Sequence, residues 1–108
     1  MLNQLAQNCL TAINECRTAC LQCAAACIQE SDPKMMAACI ANDLECADIC
    51  GLAAASIARN GLHAKAICEL CAKACQACAD ECVKHQFDHC QQCAKACKRC
   101  AEACLAFA

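Results

Sequence analysis

Aromatic side chains are almost missing: two phenylalanines, no tryptophan and no tyrosine in 108 residues. Glycine (two) and proline (one) are nearly as scarce. A small all-β domain needs aromatic and β-branched strand formers joined by turn residues, so this scarcity excludes it. It also excludes the loop-rich scaffold of a small secreted disulfide protein. No stretch reaches the ~20 apolar residues of a membrane span; weakly polar stretches such as Thr18 to Gln29 fall short. Charge of one sign is lacking too. Nine Lys and Arg against eleven Asp and Glu leave a net charge of −2, with no basic footprint for nucleic acid. The first basic residue is Arg17, so the amino-terminal residues lack the positive start of a secretory signal. The expected compartment is the cytoplasm, where thiols stay reduced.

What remains is rich in helix formers, namely Ala, Leu, Gln, Glu and Lys. The length suits one domain spanning 1–108 with one core. Three places interrupt the pattern. Ser31-Asp32-Pro33 reads as a helix cap with proline just inside the next helix. Arg59-Asn60-Gly61 reads as a helix end, with Gly61 expected in the left-handed region. His85-Gln86-Phe87-Asp88 separates two long periodic runs, with Asp88 expected to cap the second. These give four helices, roughly 2–30, 33–59, 62–84 and 88–107, with loops short enough to force antiparallel neighbours. The expected fold is all-α, an up-down-up-down four-helix bundle.

Cysteine occupies one position in six. On the first helix Cys9, Cys16, Cys20, Cys23 and Cys27 are spaced 7, 4, 3 and 4; on the second Cys39, Cys46 and Cys50 are spaced 7 and 4. Cys68, Cys71, Cys75, Cys78 and Cys82 on the third, and Cys90, Cys93, Cys97, Cys100 and Cys104 on the fourth, both step 3, 4, 3, 4. This is the a/d heptad repeat with cysteine where leucine or isoleucine normally stands. All eighteen thiols are expected in one core seam.

Packing alone accounts poorly for this seam, because leucine would bury more area. Protonated thiols are nevertheless apolar enough to let the helices pack, so the metal-free protein is expected to be folded already. Disulfides within a helix are strained: Cβ atoms four residues apart lie about 5–6 Å from each other, while a bridge wants roughly 3.5–4.5 Å. A thiol–disulfide redox enzyme, suggested by the five Cys-x-x-Cys pairs, normally uses one partly exposed low-pKa thiol at a helix start. Seven Cys-x-x-x-Cys pairs instead place two sulfurs one helical turn apart, able to clamp a small soft ion. Zinc or cadmium buffering of the metallothionein kind uses the same ligands but wants about four sulfurs per ion. Cu(I) accepts two or three, its thiolates bridge, and an equal number of Cu(I) ions cancels the buried charge. Capacity is then on the order of one Cu(I) per cysteine.

The Cys-x-x-x-Cys pairs on four helices, the stretch Glu45-Cys46-Ala47-Asp48-Ile49-Cys50 and the run from Cys68 to Cys104 together resemble the bacterial copper storage proteins. The resemblance covers nearly the whole chain and implies a non-enzymatic store of many Cu(I) ions in a four-helix bundle. It also implies a homotetramer and, without an export signal, the cytosolic branch. The partners would be copper ions and a copper chaperone or efflux system.

The two ends of the seam differ. Leu2, Ala6, Ile13, Ala53, Ile57, Ala64 and Phe107 continue the stripe toward the termini as an apolar plug. Ions are therefore expected to enter at the opposite end, where His85, His89, Met35 and Met36 supply Cu(I)-compatible ligands that exchange faster than paired thiolates. Asp43 falls on the inward stripe between Cys39 and Cys46. A buried carboxylate needs a metal, a donor or a proton, so Asp43 is a further expected ligand or partner of a ligand.

Overall fold

The computed structural model describes residues 2–108, and four helices run through them: α1 (Gln4–Ile28), α2 (Ala37–Ala58), α3 (Ala64–Cys82) and α4 (Asp88–Phe107). Each packs against its neighbours in the chain and α4 closes the ring against α1, so α1 faces α3 and α2 faces α4 across the core. The resulting rod measures 46 × 18 × 17 Å, long enough for α1 at about 1.5 Å per residue. Buried alanines at the helix flanks, among them Ala47, Ala72, Ala79, Ala94 and Ala101, let the backbones approach closely.

The helix ends show how local chemistry sets the frame. Asn3 caps α1, its Oδ1 accepting from the Ala6 N–H at 2.9 Å. The expected cap before the second helix does not form. Asp32 makes no side-chain cap bond, and Pro33–Met36 is a 3-10 turn before α2 begins at Ala37. The turn closes on the Asp32 carbonyl, which accepts from Met35 N at 3.2 Å. Asp88 likewise lies inside the first turn of α4 with Phe87 at the cap, where it complements the helix dipole.

The left-handed residue after α2 is Asn60 (φ 53°), whereas Gly61 has no positive φ. Gly61 N donates to Ser56 O at 2.7 Å and Asn60 N to Ile57 O at 3.0 Å, the paired bonds of a Schellman ending. Gly61 is required for space: a Cβ there would sit 2.5 Å from Ser56 Oγ and 3.1 Å from Ser56 O. Gly61→Ala is expected to cost about 1–3 kcal/mol in chemical denaturation. Ser56→Ala in the same chain should restore part of the loss by removing the nearer atom. An additive double variant would show that the two residues do not meet.

Ala6, Ile13, Ala53, Ile57 and Ala64 are buried and Leu2 and Phe107 pack against them, which places the apolar stopper at the end that holds the termini and the Asn60 turn.

Candidate metal centre

Every cysteine is reduced and buried, with none more than 1% exposed. The thiols form one unbroken column. It starts at Cys27, 3.8 Å from Cys23, which is 3.8 Å from Cys90. Cys39 and Cys82 join α2 to α3 at 3.4 Å, the shortest sulfur-to-sulfur contact. In the middle, Cys20 reaches Cys78, Cys93 and Cys97 at 3.9, 3.8 and 3.7 Å. Cys16 touches all three other helices: Cys46 at 3.9 Å, Cys75 at 3.8 Å and Cys97 at 3.6 Å. Contacts from α1 to α3 run along the diagonal of the bundle. Cys50, Cys71 and Cys100 carry the column on to Cys104 and Cys9, which are 3.7 Å apart.

Sulfurs therefore gather in groups of four, each group drawn from several helices. Examples are Cys16, Cys20, Cys46 and Cys97, and, near the open end, Cys23, Cys27, Cys39 and Cys90, with all ligand atoms of a group within 4.8 Å of one another. Soft donors at this spacing can share an ion two or three at a time or bridge adjacent ions. Burial pushes the Cys27 thiol up to about 11 and Cys68 up to about 12, which keeps these ends of the column neutral until a cation replaces the protons. Inside, neighbouring sulfurs shift one another's hold on the proton in opposite directions. Cys20 is held up chiefly by its contact with Cys16, and Cys46 is held down chiefly by Cys16.

Asp43 is completely buried. Its Oδ1 accepts from Cys78 at 3.2 Å, Cys93 at 3.3 Å and Cys82 at 3.5 Å, and its Oδ2 lies 3.9 Å from Cys39. Periodicity placed the side chain inward, and the structure supplies its partners, all thiols. Burial, the largest cause, raises its carboxyl to about 8.

At the open end the structure separates residues that the sequence grouped. His89 Nδ1 lies 3.4 Å from Cys23, 3.5 Å from Cys90 and 3.9 Å from Cys27. Its Nε2 is 2.7 Å from Glu30 Oε2. A carboxylate only accepts, so Nε2 carries a proton, and the neutral ring with that tautomer presents its Nδ1 lone pair to the sulfurs. Phe87 stacks on the ring, with centroids 5.6 Å apart. Glu30 escaped sequence reasoning, because 59 residues separate it from His89 and no spacing signals the pair.

His85 does not join this cluster. Its Nε2 donates to Glu81 Oε2 at 2.8 Å, holding the Glu81 carboxyl below its ordinary range. The third helix, expected to reach residue 84, ends at Cys82, and Gln91 Nε2 donates to the His85 carbonyl at 2.6 Å. Met36 is buried on the stripe below Cys39, whereas Met35 is 70% exposed on the turn. Both methionines and His85 line a cleft with Glu30 and Phe87 that marks the mouth, and Met36 also belongs to the buried core that holds Cys27 and Cys39. His63 is exposed near the apolar stopper.

The sequence profile described as copper storage protein (Csp) matches residues 2–108. An uncharacterised cysteine-rich protein of Bacillus subtilis strain 168, YhjQ, is 45% identical over 88 residues, 82% of each chain. The Cu(I)-bound copper storage protein BsCsp3 superposes with a TM-score of 0.91 at 46% identity, covering 95% of this chain and 97% of that one. A cytosolic copper storage protein from Streptomyces lividans loaded with five coppers superposes at 0.92 with 35% identity, covering 95% and 91%.

Proposed function

We propose that this chain, which belongs to the copper storage protein family, takes Cu(I) in at its histidine end and stores it along the core cysteines. One observation carries the reading: all eighteen thiols are reduced, buried and arranged as a continuous column through the bundle. A chaperone or sensor needs one small group of sulfurs; a column from Cys27 to Cys9 repeats the group along the rod.

The chemistry follows from the donors. Each Cu(I) displaces thiol protons, so cation and thiolate charges cancel locally inside a core that could not hold eighteen thiolates alone. Thiolates that bridge two ions raise the capacity to about one ion per cysteine. His89 is the acceptor at the mouth: an imidazole nitrogen beside Cys23, Cys27 and Cys90 binds an arriving ion and yields it to the thiolates below. Glu30 fixes the tautomer that turns Nδ1 inward. Met36 extends the soft lining under the turn, and Met35 and His85 lie outside it as weaker, transient ligands. Asp43 accepts thiol hydrogen bonds and coordinates or supports the ions held by Cys78, Cys82 and Cys93.

We place the protein in the cytoplasm, as a store rather than an enzyme, exchanging ions with a copper chaperone or efflux system. The opposite end supports a single mouth, because Ile57, Ala6 and Ala64 bury an apolar stopper there. A homotetramer would cover leucines that stand on the outer faces, including Leu21, Leu44, Leu52, Leu70 and Leu105.

Anaerobic titration of the reduced protein with Cu(I) against a competing chelator tests the reading. Uptake on the order of one ion per cysteine is expected. His89→Ala should slow the first ions while leaving the total within about one ion of the original, since it removes one ligand of the mouth. Saturation after one to four ions would defeat storage and leave a chaperone or a zinc-type site.

A further inference from the structure

The column is not chemically uniform. Around Asp43 Oδ1 three sulfurs stand at 3.2, 3.3 and 3.5 Å (Cys78, Cys93, Cys82). Cys78 and Cys82 are 3.9 Å apart, and Cys78 and Cys93 lie within 4.8 Å of each other. A tetrahedral ion with bonds of about 2.3 Å to sulfur and about 2.0–2.2 Å to oxygen needs donor separations of about 3.8 Å (S to S) and about 3.5 Å (S to O). The three sulfur-to-oxygen separations and the Cys78–Cys82 separation therefore lie close to the edges of such a tetrahedron. They come from three helices: Asp43 from α2, Cys78 and Cys82 from α3, and Cys93 from α4.

We infer that Asp43, Cys78, Cys82 and Cys93 form a four-coordinate S3O site for one divalent cation of borderline softness, with Zn(II) as the cellular ion, in protein that carries no copper. The donor mix gives the selectivity. Cu(I) is satisfied by two or three soft sulfurs and does not require the Asp43 oxygen it meets there, whereas Zn(II) accepts carboxylate, imidazole and thiolate alike and prefers four ligands. When Cu(I) arrives, the same three sulfurs pass to the softer ion and the divalent ion leaves. The inference goes beyond copper storage and does not depend on how many Cu(I) ions the column holds.

Co(II), a spectroscopic stand-in for Zn(II), tests the site. Reduced, metal-free full chain is titrated anaerobically with Co(II) while the visible ligand-field bands and the near-ultraviolet sulfur-to-metal bands are followed. Tetrahedral bands saturating at one ion per chain are expected, and added Cu(I) should bleach them. Asp43→Asn and Cys93→Ser should each weaken this ion by more than the roughly 10- to 100-fold that follows loss of an outer-sphere partner. His63→Ala, far from the site on the exposed surface, should leave it unchanged. Absence of tetrahedral Co(II), or equal uptake by wild type and Asp43→Asn, would overturn the site; equal uptake would put the ion in an all-thiol group. Circular dichroism checks that Asp43→Asn folds, and if it does not, Cys93→Ser against His63→Ala decides alone. Copper capacity read on the same samples keeps this result separate from the storage reading.

Discussion

Saturation of the reduced protein with Cu(I) is expected to raise its thermal unfolding midpoint by tens of degrees, and a strong Cu(I) chelator to return it to the starting value. Without metal, the core is built from side chains that bury little area. Among the largest fully buried ones only Ile13, Met36 and Ile57 are sizeable apolar groups, so the hydrophobic contribution of the interior is modest. Ions change this because the sulfurs that would share them lie on different helices. Cys16 of α1 meets Cys46 of α2, Cys75 of α3 and Cys97 of α4 within 4 Å, so ions at that level tie the whole bundle together. One ion present at about 1,000 times its dissociation constant adds about 4 kcal/mol. In a domain this small, each kcal/mol moves the midpoint by roughly 4–8 °C. A few such ions suffice, even after allowance for the Cys-x-x-x-Cys pairs that an unfolded chain would still offer. Far-ultraviolet circular dichroism during heating, with and without Cu(I), measures the shift. An unchanged midpoint would mean that the ions sit on single helices and do not bridge them.

Much of this arrangement is legible in the spacing. Steps of 3 and 4 from Cys68 to Cys82 and from Cys90 to Cys104 fix both the helices and their inward faces, and every one of these thiols is buried. Sequence periodicity works here because a heptad carries side-chain direction along one helix. It carries nothing about which level of one helix meets which level of the next. The contact of Cys39 with Cys82, or of Asp43 with Cys78 and Cys93, depends on how the turns at Asn60 and Phe87 set the helices along the rod.

Periodicity also gives no notice of its own end. It predicts a third helix to residue 84, whereas the helix ends at Cys82 and Gln91 donates to the His85 carbonyl in the loop. At the other turn, Asn60 and Gly61 are both compatible with a positive φ. The close approach of Gly61 to Ser56 gives that conformation to Asn60 instead. His89 found its partner in Glu30 through the fold alone, since the two meet only when α4 lies against α1.

Asp43 supplies the second large effect. In protein stripped of metal, stability is expected to fall as pH rises from about 4 to about 8, and Asp43→Asn to remove most of that slope. Burial raises the carboxyl to about 8 in the folded chain, against about 3.8 for an unhindered aspartate. Below the lower value both folded and unfolded chains hold the proton, and the folded state bears no penalty. Between the two values the unfolded chain releases its proton while the folded chain keeps it, so unfolding is favoured increasingly with pH. Above about 8 the folded chain ionises as well and the loss levels off, at an order of a few kcal/mol. Asparagine keeps an oxygen for the thiols of Cys78, Cys82 and Cys93 but has no proton to lose. Urea midpoints across this pH range, for wild type and Asp43→Asn, measure the difference, and parallel profiles would mean that Asp43 ionises freely in the fold. A carboxyl that weakens the metal-free bundle at neutral pH is not there for packing, since a cysteine at this stripe position would bury more comfortably. Its four thiol neighbours make sense as a meeting point of an oxygen donor with sulfur, and that points to the cargo rather than to the fold.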